Sequence, residues 1–194
     1  MFQDRHCNIC FGFHGCEKEL AYDMILHRQQ MHTSENLYDW LGSGIYFWEN
    51  DPVRAFEFAH DVKRCQDPFV IGAVIDLGYC LDLTCRDNLQ TLRFAWEQLA
   101  EPNFKQGGIR TNKPGKHGET GELMLRYLDR YVIELLHQYN ADNGYEQFDS
   151  VRAGFWEGNE IYPTAGFMEK NHIQLCIRNY DCILGLFLPD GYQL

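Results

Sequence analysis

The sequence contains no apolar run long enough to cross a bilayer. A membrane-spanning helix needs about 20 consecutive apolar residues, and no run in the 194 residues approaches that length. The first ten residues, MFQDRHCNIC, also lack the charged segment followed by an apolar segment that begins a secretory leader. We therefore expect no membrane contact and a cytoplasmic location, either in the producing cell or in a target cell to which the protein is delivered.

Positive charge is also scarce. The chain has 17 Lys and Arg against 28 Asp and Glu, which gives a formal net charge of −11. Broad affinity for nucleic acid depends on basic side chains that displace counterions, so this balance disfavours it. There is no Gly-x-Gly-x-x-Gly after a strand and no phosphate-loop lysine, which argues against a Rossmann unit and an NTPase.

The eight cysteines do not form a recognisable metal or disulfide pattern. One Cys-x-x-Cys pair occurs, Cys7 and Cys10, with no second pair at zinc-finger spacing. A structural zinc would have to recruit His6, His14 or Cys16, so we expect no metal. Without a leader, the cysteines are expected to be reduced thiols.

The composition is that of an ordinary globular chain that is rich in aromatic residues. Hydrophobic residues make up 45% of the sequence and charged residues 23%, with thirteen Phe, eleven Tyr and four Trp. This is enough apolar material for a sizeable core. The length predicts one domain over residues 1–194.

Hydrophobic periodicity and turn residues predict alternating strands and helices. The predicted strands are 10–16, 44–48, two strands or one bent strand within 69–84, and a closing hairpin of 172–178 and 182–188 around Asn-Tyr-Asp. The predicted helices are 17–26, one that starts at Pro52 behind the capping residue Asp51, 86–100 and 121–139. This order favours a mixed α+β fold.

Two motifs give this pattern a family resemblance. Phe-His-Gly-Cys at 13–16 is followed by GSGIYFWENDPVRAFEFA at 42–59. Together they resemble the ADP-ribosyltransferase family, in the branch shared by diphtheria toxin and the poly(ADP-ribose) polymerases. That branch has a His-Gly-Ser/Thr strand, a Gly-x-Gly-Ile-Tyr-Phe strand and a third strand that bears a glutamate. The resemblance implies a split mixed β-sheet core flanked by helices, with NAD as co-substrate.

The resemblance also implies roles for individual residues. His14 would hydrogen-bond a ribose hydroxyl, and the backbone of Gly15 would hold the nicotinamide carboxamide. Tyr46 would stack on the nicotinamide ring, behind a tight turn that includes Gly44. The family often supplies a second aromatic residue from the following helix, for which Phe58 fits the spacing better than Phe56.

The chain departs from the family pattern at two positions. Cys16 replaces the hydroxyl residue of the first motif and shares a strand face with His14. A Cys16–His14 nucleophilic pair is a competing interpretation, although no third orienting group is apparent. Gln174 stands where the family has its glutamate; it can bind a ribose hydroxyl but carries no charge, which argues against polymer synthesis.

Other polar residues complete the candidate site. Glu157 and Glu160 lie in the loop where the family keeps its target-recognition turn, and either could compensate for Gln174 as a base; both could equally be solvated loop charges. Ser34 and Asn36 are candidates for the adenosine side of NAD. Arg28 could contact the pyrophosphate or form a surface ion pair.

The resemblance predicts an NAD-dependent mono-ADP-ribosyltransferase that releases nicotinamide, of the kind found in bacterial or phage toxins and effectors. The expected acceptor is a macromolecule, and the acidic charge favours protein over nucleic acid. Two alternatives remain at this stage. The same pocket could hydrolyse NAD with water as the nucleophile, or it could be a binding module for NAD or ADP-ribose that has lost the chemistry.

Overall fold

The computed structural model describes residues 8–36, 38–114 and 123–193, and these residues form a mixed α+β fold built on a seven-stranded sheet. The strands are β1 (Ile9–Glu17), β2 (Ile45–Glu49), β3 (Pro68–Asp76), β4 (Cys80–Asp82), β5 (Ser150–Phe155), β6 (His172–Ile177) and β7 (Ile183–Phe187). The helices are α1 (Lys18–Leu26), α2 (Pro52–Glu57), α3 (Arg86–Phe94), α4 (Glu101–Lys105) and α5 (Tyr127–Asp142). π-helical turns extend α2 over Phe58–Val62 and α3 over Ala95–Ala100, and a 3₁₀ turn, Tyr180–Cys182, precedes β7.

The sheet is strongly curled. Its strand order is β4-β5-β6-β2-β1-β3-β7, with β4 parallel to β5 and every other pair antiparallel. Strands β3 and β4 lie five positions apart in this order, about 24 Å in a flat sheet, yet only three residues join them. Three residues cannot span that distance. The sheet therefore bends until the ends of β3 and β4 meet, where Ser150 Oγ donates to the Leu77 carbonyl at 2.6 Å.

The sheet also separates between β1 and β2. Strand β1 pairs with β3 along its whole length, but it pairs with β2 at two positions only, Gly12 with Glu49 and Phe13 with Trp48. Beyond Phe13 the two strands diverge. The gap that opens between them has β1 on one side and the segment around Tyr46 on the other, and it positions the candidate site.

The helices cover the two faces of the sheet. Helix α1 buries Ala21 and Met24 in one core that includes Phe47 and Ile71. Helix α5 packs on the opposite side in a second core. A third, smaller cluster joins α2 to β1 and β2.

Several sequence predictions are confirmed. The first two strands and α1 lie within one residue of their predicted bounds, and the 69–84 segment forms two strands. Helix α2 begins at Pro52, and Asp51 Oδ1 accepts a hydrogen bond from the Arg54 amide at 2.9 Å. The helix predicted at 86–100 is present, with a π-helical second half.

The predicted closing hairpin is wrong. Strand β6 is central and pairs with β2 and β5, whereas β7 pairs with β3 at the edge of the sheet. The link between β6 and β7 can be short because the curl of the sheet brings β6 close to the β7 edge. Strand β5, which pairs with β4 and β6, was not predicted.

Helix α5 begins six residues later than predicted, at Tyr127. The backbone of Leu125 is held by Lys113 in a two-residue bridge, with N···O distances of 2.8 and 2.9 Å. The side-chain oxygen of Asn112 then accepts from the Leu128 amide at 2.7 Å. The helix start is therefore set by residues distant in sequence.

No helix in the described part of the chain is long and apolar enough to cross a membrane.

Candidate active site

A cavity of about 400 Å³ occupies the gap between β1 and β2. Its volume lies within the range of small-molecule sites, about 300–1,000 Å³. Seven of the predicted site residues line it: His14, Cys16, Ser34, Asn36, Tyr46, Phe58 and Gln174. The two sequence motifs therefore meet at one cavity.

His14 reaches across the gap to β2. Its Nδ1 lies 2.8 Å from the Tyr46 carbonyl oxygen, and a carbonyl only accepts, so Nδ1 carries the proton. Burial and the charge of Lys63 lower the pKa of His14 to about 4, against the opposite influence of the Tyr46 carbonyl. His14 is therefore neutral at pH 7, which leaves Nε2 as a hydrogen-bond acceptor.

Tyr46 connects the cavity to the glycine turn. Its ring lines the cavity, and its hydroxyl donates to the Gly42 carbonyl at 2.8 Å while accepting from the Leu41 amide at 3.0 Å. Burial is the largest cause that raises the pKa of Tyr46 well above its ordinary value. The phenol thus stays protonated and holds the turn.

The turn itself is held from the far side by α5 and the end of β6. Gly42 has a φ of 92°, which only glycine adopts without strain. Glu134 accepts from the Ser43 amide, and Arg178 Nη1 donates to the Ser43 carbonyl at 2.9 Å.

Gly44 pairs with Ser34 through both backbone groups, and a Cβ at Gly44 would lie 2.4 Å from Cys176 Sγ. Gly44 therefore supports the cavity from behind and is not among its lining residues.

Gly15 also acts through its backbone. A Cβ at Gly15 would lie 2.0 Å from the Ala55 carbonyl oxygen, so α2 packs directly on β1 here. The Phe11 carbonyl accepts from the Asn50 amide on the β2 side of β1. Backbone groups alternate between the two sides of a strand, and Gly15 lies four residues after Phe11. The N–H and C=O of Gly15 therefore also face the β2 side, where the strands have diverged. Lys63 Nζ lies 3.4 Å from the Gly15 oxygen.

Two aromatic side chains form a further wall of the cavity. The Trp48 and Phe58 ring centroids are 4.9 Å apart, and both residues line the cavity. Phe58 starts the π-helical turn after α2, in which its carbonyl accepts from the Lys63 amide. Phe56 stacks on His60 instead and does not line the cavity.

Ser34 and Asn36 are organised by a carboxylate that the sequence analysis missed. Asp39 is only 6% exposed, and its Oδ2 accepts from Ser34 Oγ at 2.7 Å and from the Asn36 amide at 2.5 Å. Burial raises the pKa of Asp39, and these hydrogen bonds oppose the shift. The loop therefore presents an ordered polar edge to the cavity.

Gln174 has a fixed partner, Trp40, which the sequence analysis also missed. The Trp40 indole donates to Gln174 Oε1 at 2.5 Å. Trp40 is 7% exposed and lies against Phe155, with Arg126 stacked over both rings. The only signal in the sequence was a tryptophan just before a glycine turn.

Cys16 behaves as a neutral thiol. It is 2% exposed, and burial raises the pKa of its thiol to about 11. A nucleophilic cysteine needs thiolate character, and no hydrogen bond joins the Cys16 thiol to the His14 ring in the described part of the chain. The geometry does not support the Cys16–His14 nucleophilic pair.

The two glutamates proposed as compensating bases lie outside the cavity lining. Glu157 Oε2 accepts from Arg54 Nη2 at 2.6 Å, which ties it to α2. Glu160 Oε2 accepts from the Thr164 amide at 2.7 Å within its own loop. Arg28 is exposed and does not line the cavity. Among the cavity-lining side chains of the described residues, Lys63 is the only lysine or arginine.

The described residues contain no group of three or more His, Cys, Asp or Glu side chains able to hold a metal. His6 and Cys7, which the zinc interpretation would use, lie outside the described residues.

Comparisons with protein-family models, with curated proteins and with solved structures give no match to this chain.

Proposed function

We propose that the protein is an NAD-dependent mono-ADP-ribosyltransferase, a glycosyltransferase that moves ADP-ribose from NAD to a macromolecule and releases nicotinamide. One observation carries the proposal. The His14 strand and the Tyr46 strand separate beyond Phe13 and enclose a cavity that His14, Tyr46 and Gln174 all line. The motif resemblance requires these three residues at one site.

The cavity chemistry suits the nicotinamide end of NAD. The carboxamide has an acceptor oxygen and a donor NH₂ group, which match the N–H and the C=O of Gly15 respectively. The pyridinium ring would stack on Tyr46, and the neutral His14 Nε2 would accept from a ribose hydroxyl. Lys63, exposed on a flexible stem, would turn to the diphosphate.

Cleavage of the nicotinamide–ribose bond develops positive charge on the ribose, and an enzyme accelerates it by stabilising that charge. Gln174 stands where the family has a carboxylate and supplies no negative charge, so we expect slow turnover. The leaving nicotinamide takes the bonding electron pair, and a nucleophile on the acceptor then bonds the anomeric carbon and loses its proton. A protein acceptor fits the acidic chain, with a net charge of −11, better than nucleic acid.

The binding-module alternative has specific support. Neither Glu157 nor Glu160 lines the cavity, and Gln174 occupies the position where the family has glutamate. A pocket that binds NAD without cleaving it would have this arrangement. NAD hydrolysis, with water as nucleophile, remains the other enzymatic alternative.

One incubation distinguishes the three functions. The purified protein is incubated with NAD carrying a label on its adenosine, in the presence of a cell extract, and free nicotinamide is measured. Nicotinamide release with labelled macromolecule supports transfer. Release with only free ADP-ribose supports hydrolysis. No release, together with measurable NAD binding, supports the module, and no binding contradicts all three.

A further inference from the structure

We infer that Trp40 is a positioning residue that fixes the orientation of the Gln174 amide, so that the site presents a hydrogen-bond donor to its ligand at this position. This inference rests on the proposed function. It assigns a role to a residue outside both recognised motifs.

The bond between the two side chains determines which end of the amide is available. An indole N–H only donates, and an amide oxygen accepts. Because Trp40 Nε1 lies 2.5 Å from Gln174 Oε1, the oxygen end of the amide is engaged. No partner of Gln174 Nε2 occurs among the described residues, and Gln174 lines the cavity. The NH₂ group is therefore the part of Gln174 left for a ligand.

Trp40 is itself held firmly. Only 7% of its surface is exposed. Its ring centroid is 5.0 Å from that of Phe155, and the Arg126 guanidinium carbon lies 4.6 Å from the Trp40 ring and 4.4 Å from the Phe155 ring. This packing holds the Trp40 ring in place, so the Gln174 amide is oriented before a ligand binds.

The orientation has a chemical consequence for the ligand. A donor at this position binds an oxygen lone pair, such as that of a ribose hydroxyl. A glutamate here would instead accept the proton of that hydroxyl in a hydrogen bond. If the Gln174 amide were free to rotate, fixing it on ligand binding would cost conformational entropy and weaken the binding. Trp40 removes that loss.

The test is a double-mutant cycle on NAD binding, measured by calorimetry, with Trp40→Phe, Gln174→Ala and the double variant. Trp40→Phe keeps an aromatic ring at this position but removes the indole N–H donor. We expect Gln174→Ala to weaken NAD binding about five- to tenfold and Trp40→Phe about three- to fivefold, since the loss of one hydrogen bond to a ligand lowers affinity by roughly this factor. The double variant should bind no more weakly than Gln174→Ala. Trp96→Phe, which alters a tryptophan away from the cavity, should bind as the parent.

The inference would be overturned if the loss of affinity in the double variant equalled the product of the two single losses. Parent-like binding by Trp40→Phe would overturn it as well. A second readout needs neither NAD binding nor a folded Trp40 variant. In the parent, the Trp40 indole N–H resonance should lie downfield and move upfield in Gln174→Ala, while that of Trp96 stays in place. An unmoved Trp40 resonance contradicts the inference, whereas failure of the parent to bind NAD with a moved resonance contradicts only the proposed function.

Discussion

Tyr46 combines a cavity-lining ring with a hydroxyl that holds the glycine turn, and substitutions can separate the two. Tyr46→Phe keeps the ring but removes one partner each from the Leu41 amide and the Gly42 carbonyl. We expect the free energy of unfolding to fall by about 1–3 kcal/mol, with NAD binding retained under folded conditions. Urea denaturation and calorimetry would measure the two effects.

Tyr46→Ala also removes the ring and should weaken NAD binding about tenfold or more. Equal NAD affinity in the Ala and Phe variants would show that the ring does not contact the ligand.

Under the proposed function, Gln174 limits turnover because its amide carries no negative charge. In Gln174→Glu, one carboxylate oxygen can still accept from Trp40 while the other faces the cavity. The added charge should stabilise the cationic ribose and raise nicotinamide release about tenfold to a hundredfold. Gln90→Glu makes the same change on an exposed face of α3 and should leave release unchanged. A Gln174→Glu variant no faster than the parent would place residue 174 away from the reacting ribose.

Lys63 is predicted to attract the diphosphate. An exposed charge contributes up to about 1 kcal/mol, so Lys63→Gln should raise the dissociation constant of NAD about three- to fivefold. Arg28→Gln removes the same charge from an exposed residue outside the cavity lining. Equal effects of the two variants would indicate general electrostatic attraction and no specific contact.

At the scale of elements, the packing of α2 on β1 depends on Gly15. The methyl group of Gly15→Ala would overlap the Ala55 carbonyl, a backbone atom that cannot rotate away. We expect a loss of about 1–3 kcal/mol in the free energy of unfolding, measured by denaturant titration. Gly185→Ala, in β7, meets nothing within 4 Å and should change stability by less than about 0.5 kcal/mol. Similar stability of both variants would contradict the close approach of α2.

Local signals predicted the elements around the site better than the rest of the fold. Strand β2 and the start of α2 are marked by glycines, aromatic residues and an Asp-Pro cap, all within one short stretch. The start of α5 is set by Asn112 and Lys113, from across a long connection. No local pattern could show this.

Strand partners were also invisible in the sequence. The short link from β6 to β7 has the features of a hairpin turn, but the curl of the sheet lets the same link join a central strand to an edge strand. Strand β5 is short and contains Arg152 and Gly154 among its six residues. Arg152 is satisfied there by Glu49 and Asp82, on β2 and β4. Only the assembled sheet stabilises a strand of this composition.

Only the site residues that belong to local motifs were predictable from the sequence. His14, Tyr46 and Phe58 belong to motifs whose spacing can be read along the chain. Trp40, Asp39 and Lys63 reach the cavity through tertiary placement, and none of them belongs to a motif that can be read along the chain.

At the scale of the whole molecule, stability should depend on pH through buried neutral histidines. Burial is the main cause that lowers the pKa of both His14 and His137 to about 4. The unfolded chain binds protons on these residues below about pH 6.5, whereas the folded chain does not. Their contribution to stability is therefore complete above pH 6.5 and lost as pH falls toward 4.

Between pH 6.5 and 5, each of these histidines should lower the free energy of unfolding by up to about 1.4 kcal/mol per pH unit. Urea denaturation at a series of pH values would measure the slope, and His137→Gln should reduce it. A flat profile in this range would show that both rings are charged in the folded protein.

The most direct test of the central claim is a crystal structure of the protein with NAD. The account predicts a nicotinamide ring against Tyr46, its carboxamide on the backbone of Gly15, and a ribose hydroxyl within reach of His14 Nε2. Dinucleotide bound elsewhere, or an empty gap between β1 and β2 in crystals grown at saturating NAD, would contradict it.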